Sequence, residues 1–65
     1  MSNAKARTVQ IKWAMTGELM SVQHVQVPPS ANRQEQEAVI HQHVARWCKA
    51  NDFVVDEEIT YTVEY

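Results

Sequence analysis

The fold turns on the stretch Thr8-Val9-Gln10-Ile11-Lys12-Trp13-Ala14-Met15. Val9, Ile11, Trp13 and Met15 share one parity, and Thr8, Gln10, Lys12 and Ala14 share the other. A period of two is the mark of a half-buried strand. Gly17, the only glycine, follows directly, and glycine supplies the positive φ of a tight reversal. A two-residue hairpin at Thr16-Gly17 is therefore expected. It sets Met15 opposite Glu18, Trp13 opposite Met20 and Ile11 opposite Val22, with the apolar groups together on one face. Continued, that register sets Val9 against His24, whereas the next apolar residues, Val25 and Val27, have the other parity. A one-residue bulge near Gln23-His24 would return them to the inner face.

Outward from the hairpin, Pro28-Pro29 ends the second strand, because proline lacks the N–H a ladder needs and biases the residue before it away from helix. Asn32 with Glu35 three residues on has the form of a capping box, with Ser30 as the alternative cap. From Arg33 to Ala50, residues Ile40, Val44, Trp47 and Cys48 recur as one helical stripe flanked by Val39 and His43, while Gln42, Ala45 and Lys49 face away. Glu35 and Glu37 near the start and Arg46 and Lys49 near the end suit the helix dipole. Asn51 is expected to close the helix in the left-handed conformation. Phe53-Val54-Val55 then covers the helix end, and Ile59, Tyr61, Val63 and Tyr65 alternate with Glu58, Thr60, Thr62 and Glu64 as a third strand.

These elements predict an α+β fold, a single ββαβ domain over residues 8–65 preceded by a flexible segment, residues 1–7. The three-stranded, mainly antiparallel sheet takes the order 2-1-3, with 1-2-3 as the alternative, and one helix packs on one face. The other face stays open. It should present Gln10, Lys12, Gln26, Glu58, Thr60, Thr62 and Glu64.

At 65 residues the chain buries only about 60% of its unfolded surface, and domains this small often lean on a disulfide, a metal or a partner. Cys48 is the single cysteine, so no internal disulfide forms. A lone thiol at a core position fits a reducing, cytosolic compartment. No apolar run approaches the roughly 20 residues of a membrane span, and no apolar stretch follows the basic N-terminal residues as in a secretion signal.

Among candidate chemistries, His41 and His43 lie two apart, where a shared ion needs three or four, and Cys48 is two turns beyond His41. The histidines read as surface or flanking groups, and no metal or cofactor is expected. Cys48 sits on the stripe with Val44 and Trp47 and reads as a core thiol, without the base and exposure a nucleophile needs. Contiguous carboxylates in a turn, Asp56-Glu57-Glu58, lack the burial that raises a pKa for acid catalysis. No catalytic residue is assigned and no enzyme is expected. The aromatics Trp13, Tyr61 and Tyr65 share the parity of Ile11, Ile59 and Val63, which places them in the core and away from base-stacking on the open face.

The net charge is −2 and the pI near 5.8, which disfavours direct nucleic-acid binding, since duplex binders carry a basic excess. The acids gather late: Asp52, Asp56, Glu57, Glu58 and Glu64 all follow Lys49, the last base. Two readings stand side by side. Acids at a strand entrance solubilise a small domain and blunt a sheet edge. The same five residues also compose a partner-binding patch that imitates a row of phosphates before a basic groove of another protein.

In size, ββαβ layout and acidic tail (Asp56-Glu57-Glu58, Glu64), the stretch from Thr8 to Tyr65 resembles small proteins of phages and mobile elements. Among these it is similar to anti-CRISPR proteins acting on type I-C surveillance complexes. The resemblance implies a stoichiometric, non-enzymatic inhibitor in the host cytosol. Such an inhibitor binds a Cas effector complex and blocks target DNA recognition, its DNA-mimicking acids meeting the lysines and arginines that grip the duplex. Two other classes stay open. One is a nucleic-acid binder using Lys5, Arg7, Lys12, Arg33 and the open face. The other is a structural module, a homodimer or accessory subunit, paired through the open face or the third-strand edge; the chain is expected to be a monomer or homodimer.

Overall fold

A computed structural model describes residues 5–65. It comprises β1 (Lys5–Trp13), β2 (Leu19–Val27), α1 (Arg33–Ala50) and β3 (Ile59–Glu64). The sheet order is β2-β1-β3, and both pairings of the central strand are antiparallel. This is the expected ββαβ layout in its 2-1-3 form. No helix among the described residues is long and apolar enough to cross a membrane. The first strand begins at Lys5 and not Thr8, so Lys5, Ala6 and Arg7, expected in the leading segment, pair with Val27, Gln26 and Val25; residues 1–4 lie outside the described residues.

The hairpin departs from expectation in loop length. Trp13 donates its N–H to Glu18 O at 2.9 Å and accepts from Gly17 N–H at 2.8 Å, so Ala14–Gly17 is a four-residue loop. A two-residue type I′ loop demands positive φ at both central residues, which a β-branched Thr16 resists. In the longer loop Gly17 alone has positive φ, +74°. Met15, expected on the inner face, is at the tip and 93% exposed.

The bulge exists but sits elsewhere. The register runs from Lys5↔Val27 to Ile11↔Ser21 and then shifts to Lys12↔Leu19, skipping Met20. The extra residue lies beside the hairpin and not at Gln23-His24. It turns Val25 and Val27 inward as required, but it also sends Val22 to the open face opposite Gln10 and sets Gln23 inside opposite Val9. Gln23 is accommodated there by polar partners: its Nε2 donates to Ser21 Oγ at 2.6 Å, and its Oε1 lies 3.4 Å from His43 Nε2 on the helix.

Asn32 caps α1 in a complete capping box: its Oδ1 accepts from Glu35 N–H at 2.8 Å, and its own N–H reaches Glu35 Oε1 at 3.3 Å. The helix buries Gln36, Ile40, Val44 and Cys48. Ile40, Val44 and Cys48 join Val9, Ile11, Val25, Val27 and Ile59 in a core whose members are each 3% exposed or less. Trp13, Met20, Val39, Trp47, Phe53, Tyr61 and Val63 pack around it. Gln36 extends the stripe by one polar turn, its Oε1 accepting from Arg7 Nε and its Nε2 donating to Ala31 O, both at 2.9 Å.

Paired residues share a face, so the open side reads in rows across β2, β1 and β3: Leu19–Lys12–Thr60, Val22–Gln10–Thr62 and His24–Thr8–Glu64. The expected Gln10, Lys12, Gln26, Thr60, Thr62 and Glu64 lie there, with exposed Leu19 and Val22 added along β2, whereas Glu58, expected with them, precedes β3 and turns its carboxylate to Val54 N–H.

Candidate functional site

The acidic segment forms the connection from α1 to β3, and its shape begins at the helix end. Asn51 is the C-cap, with its Nδ2 donating to Trp47 O at 2.8 Å, but its φ is −108°. The left-handed residue is Asp52, φ 60°. Phe53 N–H donates to Cys48 O at 2.9 Å and Asp52 N–H to Lys49 O at 3.4 Å, the paired bonds of a Schellman ending. The apolar contact that accompanies such an ending is Phe53, stacked on Trp47 at 5.9 Å between centroids and edge-on to Trp13 at 5.1 Å.

The far side of the loop is tied as closely. Val54 and Glu58 are joined by the Glu58 N–H to Val54 O bond at 2.9 Å and by the Glu58 carboxylate accepting from Val54 N–H at 3.0 Å. Asp56, φ 70°, donates its N–H to Ile59 O at 2.9 Å, and Ile59 N–H reaches Val54 O at 3.3 Å. Ala14 N–H donates to Glu58 O at 2.9 Å, fastening the loop to the hairpin.

Asp52, Asp56, Glu57 and Glu58 thus stand exposed on one short, internally bonded loop. The fifth expected acid does not join them. Glu64 lies six residues past Glu58 at the other end of β3, opposite Thr8, about 20 Å away along an extended strand. Among the described residues the one ion pair is Arg33–Glu37, 3.5 Å, so no cation within salt-bridge distance neutralises the loop. Its field reaches inward. Burial first, and the Asp56 charge second, push the Cys48 thiol above its ordinary 9.0. Burial, then the charges of Asp56, Tyr65 and Glu37, push the Tyr61 phenol above its ordinary 10.0.

The bases are dispersed. Lys12 is on the open face near the hairpin, whereas Arg7 bonds Gln36 and, with Arg33, flanks Tyr65; the guanidinium carbons lie 5.3 Å and 3.6 Å from its ring centroid. Tyr65, expected in the core, is 42% exposed and held by these cations. The contact joins residues 32 apart in sequence and carries no local signal. The histidines part company: His24 lies 3.5 Å from Thr8 Oγ1 on the open face, His41 3.2 Å from the Tyr61 hydroxyl, and His43 beside Gln23. No group of three metal-ligating side chains occurs among the described residues.

Among the described residues, two grooves flank the sheet. One, of about 540 Å³, runs along β3 between Arg33, Glu37, Tyr61, Val63, Tyr65 and Asp56. The other, of about 350 Å³, runs along β2 under Val39, His43 and Arg46. Comparison with protein-family models, curated proteins and solved structures finds no match.

Proposed function

We propose that the domain is a non-enzymatic, protein-binding inhibitor that docks its acidic loop on a basic surface of its partner. The observation that supports this reading is the clustering of Asp52, Asp56, Glu57 and Glu58 on a loop whose backbone is fixed by its own hydrogen bonds. A loop whose backbone is already fixed loses less freedom on docking, and the field of its carboxylates steers a cationic partner toward them. Resemblance in layout and acidic tail to type I-C anti-CRISPR proteins makes the partner a Cas effector complex, whose DNA-gripping lysines and arginines the loop would occupy. Glu64, at the far end of β3, takes no part.

The test must separate charge from loop shape, because Glu58 holds Val54 N–H and the two aspartates hold left-handed positions. Asn tolerates positive φ as Asp does, so Asp52→Asn with Asp56→Asn and Glu57→Lys removes charge and keeps the backbone. Expressed in a bacterium with an active type I-C system, the wild-type chain restores plating of a targeted phage. The triple variant, folded by circular dichroism, loses that restoration. Failure of the wild type to restore plating overturns the Cas reading, and full restoration by the variant removes the loop from it.

A further inference from the structure

We propose that the free edge of β3 pairs with the same edge of a second copy of this chain, with Thr62 on the two-fold axis, so that two sheets join as one. The inference does not rest on the identity of the acidic loop's partner, although the two contacts share Asp56.

It starts from hydrogen-bond direction. Within an antiparallel strand the N–H and C=O of one residue point to the same side, and successive residues alternate. Glu58 O bonds Ala14 N–H, toward β1, whereas both polar groups of Ile59 bond the loop at Val54 O and Asp56 N–H, away from β1. The alternation then turns Thr60 and Thr62 toward β1 and Tyr61 and Val63 outward. The loop fills the rung at Ile59, and beyond it the N–H and C=O of Tyr61 and Val63 form an open edge. Ile59–Glu64 contains no proline or lysine, and its one charge, Glu64, stands at its end, so the middle of the strand lacks the usual devices by which edge strands refuse a partner.

The register follows from the same bonds. A two-fold axis perpendicular to the sheet gives an isologous contact in which paired residues share a face. Centred on Tyr61, the pairing needs the Ile59 bonds that the loop already holds. Centred on Val63, the flanking bonds of Tyr61 fall to the partner's Tyr65, which lies past the end of β3 and is held by Arg7 and Arg33. Centred on Thr62, Tyr61 exchanges both main-chain bonds with the partner's Val63 on the helix side, and Thr62 meets the partner's Thr62 on the open side.

Charge supports that centre. Arg33 flanks the C-terminal end of β3, with its guanidinium carbon 3.6 Å from the Tyr65 ring centroid. Asp56 stands at the beginning of β3 and lines the same groove. The two-fold exchange carries each Arg33 toward the other chain's Asp56. On the open face it sets Glu64 opposite the partner's Thr60, whose neighbour on β1 is Lys12.

Sedimentation equilibrium at rising concentration, up to about 1 mM for a contact of this modest size, is expected to show the wild-type chain reaching twice its 7.5 kDa mass. Thr62 is exposed, so Thr62→Lys leaves the monomer fold intact, as circular dichroism checks, and sets two ammonium groups face to face. It is expected to remain monomeric, as is Thr62→Glu alone, while the two variants mixed in equal amounts recover the two-chain mass. A wild-type monomer throughout overturns the proposal. So does a dimer that survives Thr62→Lys and is broken by Val22→Lys, which would place the contact at β2.

Discussion

Asp52 and Asp56 are the two non-glycine residues with positive φ among those described, at 60° and 70°. Aspartate tolerates this region better than most residues but not as well as glycine. Their backbone role and their charge can therefore be separated. Asp52→Gly is expected to raise unfolding stability by up to about 1 kcal/mol, since glycine is the favoured residue one past a helix cap; urea denaturation of the two chains measures it. Lower stability in the glycine chain would mean that the Asp52 side chain contributes more to the loop than its backbone strain removes. At this scale the sequence revealed the acids but not their grouping, because an extended β3 carries Glu64 away from the other four. Buried Gln36 and the Tyr65 stack were illegible for a related reason. Each depends on Arg7 or Arg33, remote in sequence and nearby only after folding.

The elements themselves were readable wherever one face is apolar and the other polar. Alternation marked β1 and β3, and the stripe through Ile40, Val44 and Cys48 marked α1. The capping box was legible because its partners are three residues apart. Asn32→Ala is expected to lower stability by about 1 kcal/mol, as seen in a lower urea midpoint with an unchanged slope. The hairpin loop is two residues longer than expected because glycine announces a turn without fixing its length; the sign of the longer loop is Thr16, reluctant to take positive φ. Parity similarly required a one-residue slip in β2, but the alternation of Val25 and Val27 put it near Gln23-His24, whereas it fell at Met20, next to the loop.

As a whole the molecule is elongated, 40 × 18 × 18 Å, with a stability of roughly 0.05–0.15 kcal/mol per residue expected for a domain of its kind. Such a margin is exposed to alkali. Cys48 and Tyr61 both hold their protons more tightly when folded than their ordinary values of 9.0 and 10.0. Below those values both states are protonated and the groups' contribution is complete. As pH rises past them the unfolded chain releases protons that the folded chain keeps, so stability falls until the folded groups ionise too. The thermal midpoint is expected to decline above pH 9.0, and Tyr61→Phe to make the decline shallower. Calorimetry at stepped pH reads both, and an identical slope in the variant would remove Tyr61 as a cause.

The Phe53 cluster has a consequence for how this molecule is observed. Trp13 and Trp47, the only tryptophans, both pack on that one ring, at the end where the hairpin, the helix terminus and the acidic loop meet. Indole emission is therefore a local reporter of that end. Fraying of the opposite end, where Lys5 pairs with Val27 and Arg33 covers Tyr65, leaves it unchanged.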